Sequence, residues 1–182
     1  MSHGPHAGRL VPVVCATVAV LWLILDQASK VLAVQTLETS GRIVDLGVLD
    51  LRVIRNPGGA FGFPGFPGLF VIVTVLVLVL VLRALPSTDR LSLAVAYGLV
   101  TGGALGNVAD RLFRAPGFPS GHVVDFFDLR WWPVFNIADI GIVTGALSIA
   151  VLLTVSERQA RASQRRQAAH RSVRPDTTTP RH

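Results

Sequence analysis

Long apolar stretches alternate with short polar segments along the chain. The longest cover residues 10–25, 56–82, 91–109 and 131–156. Each contains most or all of the roughly 20 residues that a helix needs to cross a bilayer. Runs of this length exceed the strands of soluble sheets. The pattern therefore predicts an all-α membrane protein with four transmembrane helices.

The polar segments between these runs differ in kind. Residues 26–30 (Asp-Gln-Ala-Ser-Lys) interrupt the first run and are followed by further apolar residues, so we expect the first helix to continue through them. Residues 48–55 alternate in part between apolar and polar side chains, which is typical of a strand with one exposed face. We therefore expect a small extracytoplasmic segment that contains β-structure.

Arginines are concentrated after the last apolar run, where seven of the sixteen lie. Cytoplasmic segments of membrane proteins carry an excess of basic residues, so we predict that this tail is cytoplasmic. With four spans the N-terminus is then cytoplasmic too, and the connections 35–68 and 110–135 face outward. The predicted organisation is a cytoplasmic N-terminal tail at 1–9, a membrane domain at 10–155 and a basic, disordered cytoplasmic tail at 156–182.

The composition supports a membrane protein and narrows its chemistry. Of all residues 51% are hydrophobic and only 15% are charged, which is too little polar surface for a soluble domain of 182 residues. The net charge of +6 is concentrated at one end, which fits membrane topology better than nucleic-acid binding, so we expect no nucleic-acid partner. A single cysteine, Cys15, excludes an internal disulfide and a cysteine-built zinc site. We expect no metal and no cofactor.

Ionisable and amide side chains occur where the apolar runs end. Burying such groups in a membrane protein costs several kcal/mol unless they are paired or hydrated. Asp26 and Lys30 are four residues apart and share one helix face. Asn136 and Asp139 share the first turn of the fourth predicted helix, where Asp139 is flanked by apolar residues. A carboxylate in such surroundings is more typical of a functional residue than of one that only caps the helix.

A third polar group lies at the end of the third predicted helix. Asn107, Asp110 and Arg111 share a helix face, directly after the segment 102–106 (Gly-Gly-Ala-Leu-Gly). Small residues permit close helix packing, which would draw this face into the bundle. The predicted topology brings all three polar groups to the outer membrane face, together with the loop residues Asn56 and Asp125.

Several carboxylates at the rim of an apolar bundle favour hydrolysis by an aspartic dyad. Two close carboxylates share one proton, so that one activates water while the other donates to the carbonyl oxygen. Asp110, Asp125, Asp128 and Asp139 are all candidates, and periodicity does not choose among them.

Other chemistries fit less well. Ser120 and His122 lack the G-x-S-x-G elbow of serine hydrolases, and no HExxH motif is present for zinc. Residues 119–122 (Pro-Ser-Gly-His) match the central signature of membrane phosphatases, but the flanking basic motifs of that family are missing. The alternative from another class is a small transporter with a relay of buried polar groups.

Taken together, the polar motifs resemble those of bacterial lipoprotein signal peptidase, the signal peptidase II family. Every block of the family pattern is present in order between about residues 10 and 155. The blocks are 26–30, 56–62 (Asn-Pro-Gly-Gly-Ala-Phe-Gly), 102–111, 123–126 (Val-Val-Asp-Phe) and 135–139 (Phe-Asn-Ile-Ala-Asp). The segment 112–121 departs from the family pattern because it is longer than usual.

The resemblance implies a four-helix aspartyl protease of the bacterial inner membrane, with its site at the outer face. Its substrates would be prolipoproteins that carry a diacylglyceryl cysteine, cut just before that cysteine, and its partners those signal peptides and membrane lipids. The resemblance assigns catalysis to Asp125 and Asp139, substrate binding to Asn56, Asn107, Arg111 and Asn136, and support of the site to Asp26, Lys30 and Asp110. We expect the enzyme to act as a monomer.

Overall fold

The computed structural model describes residues 7–58, 67–118 and 120–172. Its elements are, in order, α1 (Ala7–Ala33), β1 (Val44–Asp45), β2 (Asp50–Asn56), α2 (Pro67–Ala84), α3 (Leu91–Phe113), β3 (Val123–Asp128) and α4 (Ile137–Ser172). A π-helical turn, Val34–Glu38, extends α1, and a short 3₁₀ turn, Leu85–Ser87, follows α2. The protein is therefore mostly helical with one small sheet, as the sequence predicts.

Three helices of the described chain are long and apolar enough to cross a membrane. They are α1, α3 and α4, with apolar spans at Leu10–Glu38, Leu91–Phe113 and Ile137–Gln167. The fourth apolar helix, α2, is shorter. Together with the 3₁₀ turn that follows it, its apolar part covers Val71–Ser87. The first helix continues through residues 26–30 without a break, which confirms that part of the prediction.

The centre of the bundle is α3, which packs against α1, α2 and α4. Its glycines allow this: a Cβ on Gly98 would lie 2.8 Å from the carbonyl oxygen of Cys15, and one on Gly102 would lie 2.6 Å from that of Ala19. Neither position can carry a larger residue without separating α3 from α1. The predicted close packing at 102–106 is confirmed, and it carries the polar end of α3 into the protein interior.

A three-stranded antiparallel sheet in the order β1-β2-β3 closes one end of the bundle, called the sheet end below. Val123 of β3 pairs with Asn56 of β2, and Asp128 pairs with Asp50. The register shifts between Leu51 and Ile54. The predicted strand at 48–55 is thus confirmed as β2, whereas its long-range partner β3 was not predicted.

The two ends of the bundle differ in chemistry. At the end opposite the sheet, the core consists of Val11, Val81, Leu93, Tyr97 and neighbouring apolar side chains. Among the described residues, the buried polar and charged side chains all lie at the sheet end, namely Asp26, Lys30, Asp110, Arg111, Asp125, Asp128 and Asn136. The buried polar side chains, whose burial is energetically costly, are therefore concentrated at the sheet end.

Beyond the apolar span, α4 continues as a helix to Ser172. This differs from the irregular chain that the composition predicted for 156–182; residues 173–182 lie outside the described part. The segment is rich in alanine, glutamine and arginine, which favour helix, and Glu157 and Arg161 form an ion pair of 3.7 Å one turn apart. Residues 157–167 are exposed, so this part extends the helix without adding to the core.

Candidate active site

Two carboxylates from different elements face one cleft at the sheet end. Asp125 lies in the middle of β3 and Asp139 lies in the first turn of α4. The cleft has a volume of about 230 Å³ and is lined by both carboxylates. Most of its other lining is apolar and comes from α2, α3 and α4, including Val73, Val77 and Ile142. A substrate entering this cleft meets two acids and a few other polar side chains in a largely apolar wall.

Reciprocal capping fixes Asp139. The backbone N–H of Asn136 donates to Asp139 Oδ2 at 3.1 Å, and the backbone N–H of Asp139 donates to Asn136 Oδ1 at 3.0 Å. These two bonds form a capping box at the start of α4. The carboxylate also lies at the positive end of the helix dipole.

Asp125 is held by two amide side chains and is almost fully buried. Asn56 Nδ2 donates to its Oδ2 at 3.0 Å, and Asn136 Nδ2 donates to its Oδ1 at 2.6 Å. Desolvation by burial, followed by the nearby charge of Asp139, raises the pKa of Asp125 to about 7. Near neutral pH a large share of the molecules therefore keeps a proton on this carboxyl that an exposed aspartate would have lost.

Asn107 connects the two halves of the site. Its Nδ2 donates to Asp139 Oδ1 at 2.8 Å. Its Oδ1 accepts bonds from Asn136 Nδ2 at 3.1 Å and from Lys30 Nζ at 3.0 Å. An ammonium group only donates, so Lys30 fixes which end of the Asn107 amide faces Asp139.

Arg111 holds the loops around the cleft. Its Nη1 donates to the carbonyl oxygens of Asn56 at 3.2 Å and of Gly121 at 2.8 Å. Gly58 packs on the guanidinium, since a Cβ there would lie 3.4 Å from Nη2, and its φ of +115° also favours glycine. Arg111 also lines the cleft, so it lies where a substrate would pass.

Behind the cleft, a buried charge cluster joins α1 to α3. Lys30 Nζ lies 2.8 Å from Asp26 Oδ2 and 2.9 Å from Asp110 Oδ2, and all three side chains are fully buried. Arg114 Nε contributes a second cation, 2.5 Å from Asp110 Oδ1. Gln27 Nε2 donates to Asp26 Oδ2 at 3.0 Å and to Asp110 Oδ1 at 3.3 Å. Two anions thus meet two cations, which removes net charge from the interior.

The remaining candidates lie away from the cleft. Asp128 Oδ2 accepts a bond from Arg52 Nε at 2.5 Å, and its Oδ1 accepts one from the backbone N–H of Arg130 at 2.7 Å. The bond from Arg130 is the main reason that the pKa of Asp128 is lowered from its ordinary value. Ser120 and His122 do not line the cleft either. In the described chain no group of three or more histidine, cysteine or acidic side chains is arranged to hold a metal ion.

The structure brings together most of the residues that the sequence singled out. The cleft is lined by Asn56, Asn107, Arg111, Asp125 and Asp139, whereas Asn136 lies fully buried behind it. Asp26, Lys30 and Asp110 form the cluster just described. Sequence reasoning gave no role to Gln27, Gly58 or Arg114, although Arg114 lies one helical turn after Asp110 and could have been found from that spacing.

Known proteins share this sequence pattern. Residues 18–155 match the family model described as signal peptidase (SPase) II. A lipoprotein signal peptidase of Rhodococcus jostii (strain RHA1) is 44% identical over 152 residues, which cover 82% of this chain and 75% of the relative. A lipoprotein signal peptidase of Streptomyces griseus is 45% identical over 138 residues, covering 75% of this chain and 70% of the relative.

Solved structures share the fold as well. One, described as a bacterial membrane enzyme at 2.3 Å resolution, matches with a TM-score of 0.65 and 29% identity, covering 79% of this chain and 88% of its own. Another bacterial membrane enzyme, solved at 1.9 Å, matches with a TM-score of 0.64 and 30% identity, covering 76% and 91%. The family model spans well over half of the chain, and the chain therefore belongs to the signal peptidase II family.

Proposed function

We propose that this protein is an integral membrane aspartic endopeptidase that removes the signal peptide from prolipoproteins, with Asp125 and Asp139 as its catalytic pair. The observation that carries the proposal is the cleft at the sheet end. Two carboxyls from separate elements line it together, and the pKa of Asp125 is raised to about 7. Its relatives are lipoprotein signal peptidases, which is why a peptidase and not a transporter is proposed.

The chemistry follows from one shared proton. When the pair holds one proton, the ionised carboxyl takes a proton from a water molecule while the protonated carboxyl donates to the scissile carbonyl oxygen. The resulting tetrahedral intermediate collapses when the carboxyl that took the water proton passes it to the leaving amine and the other carboxyl takes back the proton of the former carbonyl oxygen, which restores the pair. The apolar walls of the cleft exclude bulk water, which strengthens each of these interactions.

The surrounding amides keep the two carboxyls in position. Asn56 and Asn136 donate to Asp125, and Asn107 donates to Asp139. Because Asn136 is fully buried, we assign it to the catalytic pair and not to the substrate. Arg111, Asn56 and Asn107 line the cleft, and we propose that they also contact the substrate backbone near its modified cysteine.

A lipidated substrate explains why the acids lie among apolar walls. An acyl chain partitions into the bilayer with about 0.8 kcal/mol per buried CH₂, so a diacylglyceryl cysteine stays at membrane depth. A signal peptide is itself an apolar helix. We propose that both flank the cleft, and that the cut falls just before the lipidated cysteine.

We further propose that all four apolar helices cross the membrane, forming a membrane domain over 10–155. The arginines beyond residue 156 favour a cytoplasmic tail, which puts both termini in the cytoplasm and the sheet end outside. This places the cleft at the outer face of the bacterial inner membrane, in contact with membrane lipids. A single chain contributes every residue of the site, so we propose a monomer.

A direct assay tests the proposal. The purified protein in detergent is incubated with a prolipoprotein that carries a diacylglyceryl cysteine, and the products are weighed by mass spectrometry. We expect a mass loss equal to the signal peptide, and an intact precursor with the Asp125→Asn variant. The same precursor without its lipid is the matched control. Equal cutting of both precursors would contradict the role of the lipid, and no cutting of either would contradict the proposed activity.

A further inference from the structure

The charge cluster behind the cleft reaches the backbone at two informative points. Asp26 Oδ1 accepts the backbone N–H of Ala138 at 2.9 Å. Asp110 Oδ2 accepts the backbone N–H of Val124 at 3.2 Å. Ala138 is the residue immediately before Asp139, and Val124 is the residue immediately before Asp125. Each support carboxylate therefore holds the backbone N–H of the residue that precedes one acid of the catalytic pair.

A single ammonium joins these two carboxylates. Lys30 Nζ has three N–H donors, and three acceptors lie within 3.0 Å of it: Asp26 Oδ2, Asp110 Oδ2 and Asn107 Oδ1. The third acceptor also belongs to the site, since Asn107 donates to Asp139. One donor of Lys30 thus reaches Asp139 through Asn107. The other two reach, through Asp26 and Asp110, the residues that precede Asp139 and Asp125.

The neighbouring backbone is shaped to admit this arrangement. A Cβ on Gly106 would collide with the carboxylate of Asp26, and one on Gly103 would collide with the carbonyl oxygen of Ala138. With glycine at both positions, α3 lies close enough to α1 and α4 for the bonds to Ala138 to form. Alanine at position 103 would have to displace the start of α4, and alanine at position 106 would have to displace the carboxylate of Asp26.

We propose that Lys30 is the positioning residue of the catalytic pair: through Asp26 and Asp110 it fixes where β3 and α4 stand relative to one another, and so the separation of Asp125 and Asp139. This proposal rests on the proposed function for the identity of the pair. It adds a mechanism to the support role, because a salt bridge that only stabilised the fold would not need contacts to these two peptide units.

Two substitutions at Lys30 separate positioning from charge. Lys30→Met keeps the length of the side chain but removes the ammonium, and Lys30→Arg keeps the charge but not three donors at one point. We expect kcat to fall at least about 100-fold in Lys30→Met, since a displacement near 1 Å can cost that much. We expect it to fall at least about tenfold in Lys30→Arg, with KM changed less than about threefold in both. Ser29→Ala is the matched control on the same helix, because Ser29 bonds only to the Asp26 carbonyl and does not reach the cluster.

Hydrogen exchange of the intact protein in detergent provides a readout independent of activity. In both Lys30 variants we expect the amides of β3 and of the first turn of α4 to lose protection, while those of α3 near Tyr97 keep it. Unchanged protection at β3 and α4, a uniform loss over all helices, or an unaltered kcat in Lys30→Arg would overturn the proposal. Failure of both variants to fold would also overturn it, because Lys30 would then be required for folding and not for positioning. If the wild-type protein cuts no prolipoprotein, the proposed function fails while hydrogen exchange still judges the positioning role.

Discussion

Asp125 and Asp128 lie three residues apart on β3 and have opposite surroundings. Because side chains alternate along a strand, an odd offset places them on opposite faces of the sheet. Asp125 faces the helices, receives only neutral amide donors and has its pKa raised to about 7. Asp128 faces Arg52 and the backbone N–H of Arg130, and its pKa is lowered. One short strand thus keeps one acid able to hold a proton and the other ionised.

The contrast shows what distinguishes a catalytic acid from a structural one in this fold. Both carboxyls accept two hydrogen bonds, so the number of bonds does not separate them. The difference is the balance between these bonds and desolvation. For Asp128 the bonds from the Arg130 backbone and from Arg52 outweigh desolvation, whereas for Asp125 desolvation and the charge of Asp139 outweigh the two amide bonds. Substitutions of these acids and of their neighbours test the contrast between Asp125 and Asp128.

The largest effect is expected from removing the carboxyls of the cleft. Asp125→Asn and Asp139→Asn should each lower the rate of prolipoprotein cleavage at least about 1000-fold, because neither amide can exchange the shared proton. Asp128→Asn is the matched control on the same strand and should retain more than about half of the activity. Rates are measured in detergent on variants whose helical circular dichroism is unchanged. An inactive Asp128→Asn with an active Asp125→Asn would reverse the assignment.

A smaller effect is expected at the residue that holds the loops around the cleft. Arg111→Lys should lower cleavage about tenfold, or roughly 1.4 kcal/mol of transition-state stabilisation, since one ammonium cannot reproduce the planar fork of donors. The melting temperature in detergent should change little. Full activity of this variant would show that only the positive charge matters. A large loss of thermal stability would instead assign Arg111 to the fold.

Thermal stability should respond to pH in opposite senses at the two acids. The folded pKa of Asp125 lies above its unfolded value, so its ionisation removes stability as pH rises from about 4 to about 7. Asp125→Asn should therefore gain at least about 3 °C in melting temperature relative to wild type between pH 4 and pH 8. Asp128, with a lowered pKa, adds stability above its unfolded pKa, so Asp128→Asn should lose slightly over the same interval. If the melting temperatures of both variants shifted in the same direction with pH, the two acids would not differ in the way described.

No effect at all is expected from chelation. The acids of the cleft act through a proton, so EDTA should leave the cleavage rate within about 20% of the untreated value, as expected for acid–base catalysis without a metal. The rate is measured before and after dialysis against the chelator. Loss of activity that zinc restores would rule out the aspartic mechanism.

The sequence predicts those parts of the site that depend on short-range spacing. The pair Asp26 and Lys30, four residues apart, and the pair Asn136 and Asp139, three residues apart, follow from helix periodicity, and the structure brings each pair into contact. The small residues before Asn107 likewise predict the close packing of α3 against its neighbours. These features need only a few neighbouring residues, so periodicity is enough to find them.

The features that join distant segments are not predictable in this way. The strand β3 was missed because its partner β2 lies about 70 residues earlier and its own sequence shows no clean alternation. The choice of Asp125 over Asp128 depends on which face of that strand meets the helices, so it came only from the family resemblance. The contact of Lys30 with Asp110 joins residues 80 positions apart, so no local sequence pattern predicts it.

The burial of Lys30 also makes this side chain a chemical probe for opening of the charge cluster. Lys30 is the only lysine of the chain, and its side chain is fully enclosed. An amine-acylating reagent therefore modifies it only in molecules whose cluster has come apart. Cleavage after arginine releases the segment 10–42 with this one lysine inside, so a single peptide mass reports the modified fraction. The rate at which that mass appears gives the frequency with which α1 and α3 separate at the sheet end.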